Sequence, residues 1–213
     1  MDALKDRLGG TLVIATHNPG KLREIADLLA PSGLTFTSAG ALGLAEPEET
    51  GSTFEDNAAI KAQAAMKATG MAALSDDSGL CVEGLGGEPG IHSARWAGAD
   101  KDFSGAMERI RSALDACGAE SRRAFFVAVL ALSIPGEGTR LWRGEVHGDL
   151  VFPPRGDKGF GYDPIFRPDG YQRSFGEMAA EEKHGWRPGM KDALSHRARA
   201  FKAFWSDLCG EDA

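Results

Sequence analysis

The apolar run Leu12-Val13-Ile14-Ala15 passes through Thr16-His17-Asn18-Pro19-Gly20-Lys21 into Leu22, Ile25, Leu28 and Leu29, which recur at helical spacing. Thr11 to Ala15 reads as a buried strand, short, β-branched and bounded by polar residues. Pro19-Gly20 marks a turn or helix start, and Pro31-Ser32-Gly33 stops the helix. A strand feeding directly into a helix commits this part of the chain to an α/β arrangement. The polar connection Thr16 to Lys21 becomes a candidate ligand loop.

The rest of the chain extends that pattern. Leu34 to Thr37 reads as a second strand, and Glu46-Pro47-Glu48-Glu49-Thr50-Gly51 as an acidic loop. A helix follows, with Ser52 or Thr53 as N-cap and Glu55 or Asp56 at capping-box spacing. It runs through Ala58, Ile60, Ala64, Ala65 and Met66 to Gly70 at its C′ end. Ala72 to Ser75 enters Asp76-Asp77-Ser78-Gly79, read as two carboxylates running into a Ser-Gly turn, with Leu80-Cys81-Val82 a further strand. Phe103 to Cys117 reads as helix. Ala124 to Ser133 is a strand that Pro135-Gly136-Glu137-Gly138 turns back into Thr139 to His147, a hairpin. Gly156 to Pro164 is a glycine-rich loop. Leu194 to Leu208 closes as a helix with Ala198, Phe201, Phe204, Trp205 and Leu208 on one stripe. Strands and helices alternate first and a hairpin comes later, so the expected fold class is a mixed α/β sheet in one domain spanning 1–213.

Composition excludes several functions. A net charge of −7 argues against a nonspecific DNA or RNA binder. An anionic substrate then needs a local basic pocket and a metal to offset the field. No apolar run approaches the roughly 18 residues that span a membrane. Cys81, Cys117 and Cys209 are far apart, which excludes a Cys-x-x-Cys zinc site and fits free thiols in a reducing cytoplasm. The 28 glycines suit tight turns and close backbone approaches.

The chemistry concentrates in a few places. Two acids beside a turn hold a hard divalent cation, and Mg²⁺ takes one or two carboxylates with water and phosphate as the rest. Adjacent strand residues face opposite ways, so Asp76 and Asp77 share a site only if the strand bends or ends there. In isolation, Asp-Asp-Ser-Gly is more often a solvated turn. Glu48 and Glu49 suit the dipole of the following helix, or one of them joins Asp77 at a metal. Lys61, among alanines, is a snorkelling surface residue or reaches inward to phosphate. Thr16 to Lys21 is not a Walker A loop, but it meets a helix N-terminus, where N–H groups and the dipole favour an anion, with Lys21 as a point charge. Phe160-Gly161-Tyr162-Asp163-Pro164 offers an aromatic for stacking and an acid for reading a base edge, or is a tight turn with a core Phe. His196-Arg197 oppose the dipole of the last helix, so hydrogen bonding to a carbonyl or phosphate explains them better than helix stability does. Ser195 is a good N-cap. The absence of Gly-x-Ser-x-Gly and of His-Glu-x-x-His argues against a serine hydrolase and a catalytic zinc.

Six blocks in order resemble the inosine/xanthosine triphosphate pyrophosphatase family. They are Ala15 to Lys21, Glu48 to Gly51, Ser75 to Leu80, Gly90 to Gly98, Gly159 to Phe166, and Ser195-His196-Arg197. The resemblance implies Mg²⁺-dependent hydrolysis of non-standard purine nucleotides (ITP, dITP, XTP) to the monophosphate and diphosphate. It also implies an elongated mixed sheet whose flanking helices form two lobes around a substrate cleft, and a homodimer. By position, Thr16, His17, Asn18, Pro19, Gly20 and Lys21 bind the triphosphate. Glu49 and Asp77 bind metal, and Asp77 is the base for the attacking water. Ser78 and Lys61 line the phosphate site, and Phe160, Gly161, Tyr162, Asp163, His196 and Arg197 recognise the base. For a family lysine upstream, Lys183 fits the local motif and Lys191 the spacing to His196; His184 to Met190 look like an insertion, and Lys183 is chosen. A 6-oxo acceptor satisfies Arg197, whereas the 6-amino donor of adenine is left unpaired, at a cost of about 1–3 kcal/mol. Rejection of GTP must depend on its 2-amino group. Two other readings stay open: a pyrophosphatase for modified pyrimidine or standard nucleotides, and a nucleotide-binding module without turnover.

Overall fold

The computed structural model describes residues 4–8 and 10–209; residues 1–3, 9 and 210–213 of the expected 1–213 domain lie outside them. The strands are β1 (Thr11–Ile14), β2 (Thr35–Ser38), β3 (Ala73–Val82), β4 (Arg123–Ile134), β5 (Gly138–Leu150) and β6 (Phe166–Pro168). The helices are α1 (Pro19–Leu29), α2 (Phe54–Thr69), the single turn α3 (Ser93–Trp96), α4 (Phe103–Ala116), α5 (Ala180–His184) and α6 (His196–Cys209). One sheet runs β2-β1-β3-β4-β5-β6. The β2-β1-β3 end is parallel and the β3-β4-β5-β6 end antiparallel. The expected mixed sheet is therefore present.

Period-2 alternation along β3 and β4 sorts their side chains onto two faces. One face carries Leu74, Leu80 and Val82 of β3 with Ala124, Phe126, Ala128, Leu130 and Leu132 of β4. It supports two apolar cores end to end. At one end α1 and α6 cover it with Ile25, Leu28, Leu29, Phe201, Phe204 and Leu208. At the other end α4, Phe166 and Phe175 cover it, with Ile110 and Leu114 fully buried. The opposite face takes α2, where Phe54, Ala58 and Ala62 pack on Val127, Val129 and Ala131. Between Leu74 and Leu80 the first face is interrupted by Asp76 and Ser78, so the seam between the two cores is polar.

The Asp-Asp-Ser-Gly motif is the main departure from expectation. No turn separates two strands here; β3 runs continuously through the motif, with Asp76 opposite Leu130 and Asp77 opposite Val129. Aspartate, serine and glycine are poor strand formers, but the apolar stretch 125–132 of β4 beside them overrides local preference. The other flank of β3 is different. Its pairing with β1 ends at Ile14 and Leu74, where β1 gives way to the Thr16 loop. Beyond Leu74 that edge of β3 borders a cleft, and both faces of the strand reach it.

Local signals placed several other elements closely, whereas α3, α5 and β6 were not anticipated. Thr53 is the α2 N-cap, accepting from Asp56 N at 3.0 Å, while Ser52 N donates back to Asp56 Oδ2 at 3.3 Å. The β4–β5 hairpin extends several residues beyond its expected ends, because its outer residues pair across it as well. Helix α6 lies directly on β5 at Gly144. A Cβ there would sit 2.2 Å from His196 O and 2.4 Å from Ala200 N. Gly144→Ala is expected to destabilise the fold by about 1–3 kcal/mol, since backbone on both sides must give way. Urea denaturation measures this, and a variant as stable as wild type would show that α6 is free to shift.

Candidate active site

The cleft has a volume of about 650 Å³ and is bounded by the Thr16 loop, α1, α2, the open edge of β3, the Gly90–Lys101 region, the Phe160 loop and the start of α6. Its floor is Asp76, whose side chain is fully buried. Lys21 Nζ lies 2.7 Å from Asp76 Oδ1. Arg197 donates from Nε to Asp76 Oδ2 at 3.1 Å and from Nη2 to Ser78 Oγ at 3.1 Å. Burial pushes the Asp76 carboxyl up, but the guanidinium of Arg197 and the ammonium of Lys21 outweigh it and hold the group well below the usual carboxylate range. Asp76 is thus a fixed anion that ties α1 and α6 to β3.

Asp77 points to the other face, toward α2. Lys61 Nζ donates to Asp77 Oδ1 and to Glu49 Oε1, both at 2.7 Å. Burial raises the Asp77 carboxyl above its ordinary range, with Lys61 and Lys21 pulling the opposite way. Burial lowers Lys61, but Asp77 and Glu49 outweigh it, so the amine stays charged. Two carboxylates therefore converge on one ammonium. Asp77 Oδ2 is buried and has no hydrogen-bond partner among the described residues. An excess carboxylate charge with an orphaned oxygen fits a hard divalent cation, which asks for only one or two protein carboxylates.

The Thr16 loop departs from one expectation. Asn18 is the N-cap of α1, and its Oδ1 accepts from Gly20 N at 2.8 Å and Lys21 N at 3.2 Å. These N–H groups are already engaged by the cap, so the loop meets an anion chiefly through the Thr16 hydroxyl, the Asn18 amide, Lys21 and the helix dipole. Pro19 and Gly20 form the first turn of α1, with the Phe160 ring against Gly20. His17 turns away; its Nε2 lies 2.8 Å from Leu44 O, in the wall of a smaller neighbouring pocket.

The far wall gathers the other expected residues. Phe160 is 43% exposed and faces the cleft, so it is no core residue. Tyr162 is buried, with its hydroxyl donating to Ser93 O at 2.8 Å, and Gly161 adopts φ 68° between the two aromatics. Asp163 pairs with Lys183 at 2.7 Å. Burial raises the Asp163 carboxyl and Lys183 opposes it. Lys183 is 1% exposed, whereas Lys191 is exposed and engages Lys202 through its carbonyl. His196 stacks on Phe126, and burial holds its imidazole neutral, well below the ordinary histidine range. Ser195 caps α6, its Oγ accepting from Ala198 N at 3.1 Å. Glu48 does not line the cleft.

Glu24 and His184 are among the cleft residues that were not singled out in the sequence. Glu24 stands one turn after Lys21 on α1 and pairs with Arg197; the signal available was the i,i+3 spacing that puts both on one helix face. His184, 3.4 Å from the same Glu24, comes from the apparent insertion. The same segment also buries Trp186 in the first core, edge-on to Trp205.

A family model described as Ham1 family matches residues 12–207. A dITP/XTP pyrophosphatase of Rhizobium meliloti (strain 1021) is 58% identical over 206 residues, covering 94% of this chain and 96% of that protein. One of Brucella melitensis biotype 1 is 57% identical over 201 residues, covering 92% and 91%. The solved structure of a HAM1 protein from Coxiella burnetii matches with a TM-score of 0.83 at 35% identity, covering 93% of this chain and 98% of that one. The Staphylococcus aureus Ham1 protein matches with a TM-score of 0.80 at 35% identity, covering 95% and 100%.

Two outcomes follow from the charges. Asp76→Ala leaves the Arg197 guanidinium buried without its main partner and is expected to cost about 3–5 kcal/mol in urea denaturation; a loss below about 1 kcal/mol would mean that Arg197 is solvated in practice. His184 is pushed down to about 4, chiefly by burial, with Glu24 opposing. Its folded value lies below the unfolded value of about 6.5. Its contribution is therefore complete above pH 6.5 and is lost as pH falls toward 4, on the order of 3 kcal/mol in all. Stability measured between pH 7 and 4 should fall more steeply in wild type than in His184→Gln, and parallel profiles would remove His184 as the source.

Proposed function

The chain belongs to the Ham1 family, and from that premise we propose that it is a nucleoside triphosphate pyrophosphatase that hydrolyses ITP, dITP and XTP to the monophosphate and diphosphate. The observation that carries this reading is the convergence of Asp77 and Glu49 on Lys61 at the open edge of β3, with an unpartnered Asp77 oxygen. Glu49 and Asp77 would hold Mg²⁺, which when bound neutralises phosphate charge and acidifies water. Asp77 takes the proton of the attacking water, its Oδ2 being free of any hydrogen-bond partner among the described residues. Lys21 and Lys61, with the Thr16 hydroxyl and Asn18 amide, position the polyphosphate. Ser78 stands beside them on the cleft floor.

Phe160 supplies the stacking face for the base. A guanidinium has five N–H donors. The Arg197 donors given to Asp76, Glu24 and Ser78 leave one Nη1 hydrogen for an incoming acceptor. A 6-oxo purine satisfies it and a 6-amino purine does not, which sets ITP and XTP apart from ATP. We take the active form to be a cytoplasmic homodimer of the 1–213 domain, as the family resemblance implies, with no nucleic-acid or membrane partner. No helix among the described residues is long and apolar enough to cross a membrane.

Asp77→Asn is expected to lower kcat for pyrophosphate release from ITP by about 10²–10⁴-fold while nucleotide still binds. The assay is run with Mg²⁺ and with chelator, and ATP, GTP and dTTP serve as competitors. A fully active variant removes Asp77 as the base; preference for dTTP favours the pyrimidine reading; binding without release of pyrophosphate leaves a nucleotide-binding module.

A further inference from the structure

The segment 184–190 lies between Lys183 and Ser195, and it delivers one side chain to the cleft. His184 closes α5 and is largely buried. Its Nδ1 lies 2.9 Å from Ser195 Oγ and its Nε2 3.4 Å from Glu24 Oε1. Hydrogen-bond logic selects the tautomer. Ser195 Oγ already accepts the Ala198 N–H as the α6 cap, so its own hydroxyl hydrogen is free to donate to His184 Nδ1. The ring proton then sits on Nε2 and faces the Glu24 carboxylate. The opposite tautomer would aim the Nε2 lone pair at an anion. The second Glu24 oxygen, Oε2, accepts from Arg197 Nη1. Ser195, His184, Glu24 and Arg197 thus form one chain of polar contacts from the α6 cap to the base-facing guanidinium.

We propose that His184 is a positioning residue for base recognition: through Nε2–H it fixes Glu24, and Glu24 aims the remaining Nη1 hydrogen of Arg197 into the cleft. The proposal rests on the function given above, because it assigns Arg197 the reading of the base. Its effect falls first on the base, since Asp77, Glu49 and Lys61 sit on the α2 side of β3, while Lys21 and Ser78 reach the network only through Asp76 and Arg197.

Two variants separate the two ring nitrogens. His184→Gln carries an amide nitrogen near the Nε2 position and keeps a donor toward Glu24. His184→Asn carries an oxygen near the Nδ1 position and keeps only the tie to Ser195. Pyrophosphate release from ITP and from ATP is measured for both and for wild type, together with melting temperatures. Losing the 3.4 Å contact of Nε2 with the Glu24 carboxylate predicts a KM for ITP up to about tenfold higher in His184→Asn, a smaller change in kcat and a narrower preference for ITP over ATP. His184→Gln should restore KM to within about threefold of wild type. ¹⁵N spectra of the wild-type imidazole should show Nε2 protonated and Nδ1 bare at pH 7. An unmoved KM in His184→Asn, parallel losses of KM, kcat and melting temperature in both variants, or the Nδ1–H tautomer would each overturn the proposal. Wild type that leaves ITP untouched overturns the function and this inference together; wild type that turns ITP over beside an unmoved His184→Asn overturns this inference alone.

Discussion

The ionised carboxylate of Asp76 is the interaction on which the rest of the cleft depends. A lone buried anion is costly, and this one sits on an otherwise apolar sheet face. It persists because Lys21 from the start of α1, Arg197 from the start of α6 and the Ser78 hydroxyl all converge on it. Its need for partners draws two helix N-termini to one point of the strand. The basic side chains arriving there are the ones that a polyphosphate and a purine edge require. Stability of the seam and construction of the site are therefore the same event.

The two neighbouring acids divide the labour by strand geometry alone. Asp76 faces α1 and α6, and Lys21 and Arg197 hold its charge. Asp77 faces α2, and burial leaves it readier to accept a proton. Residues one apart on a strand differ this sharply because each belongs to a different packed layer. The open edge of β3 lets both layers share one cleft.

Much of this was legible locally. The Leu12 to Lys21 strand-to-helix passage, the Thr53 cap, the hairpin and the apolar stripe of α6 are short-range patterns, and each stands close to where the residues place it. The continuous β3 was not legible, because its evidence lies in β4, beyond α3 and α4 in the chain. Glu24 was not singled out on α1; only the arrival of Arg197 makes it part of the site. His184 and Trp186 sit in a stretch read from the sequence only as resembling an insertion, and their partners Ser195, Glu24 and Trp205 lie elsewhere in the chain. The cap on α1 also changed the meaning of a correct placement: the loop meets the helix as expected, but Asn18 occupies the N–H groups that an anion was expected to use.

Strands β3, β4 and β5 pass beneath both apolar cores without a break. Neither end can melt while the other keeps its sheet, because the same backbone ladders serve both. The two halves therefore share a single cooperative transition, and a nucleotide held at the polar seam lends its binding energy to both at once. Occupancy of the cleft becomes a clamp on the whole ladder, protecting its amide hydrogens from exchange far from any atom the ligand touches.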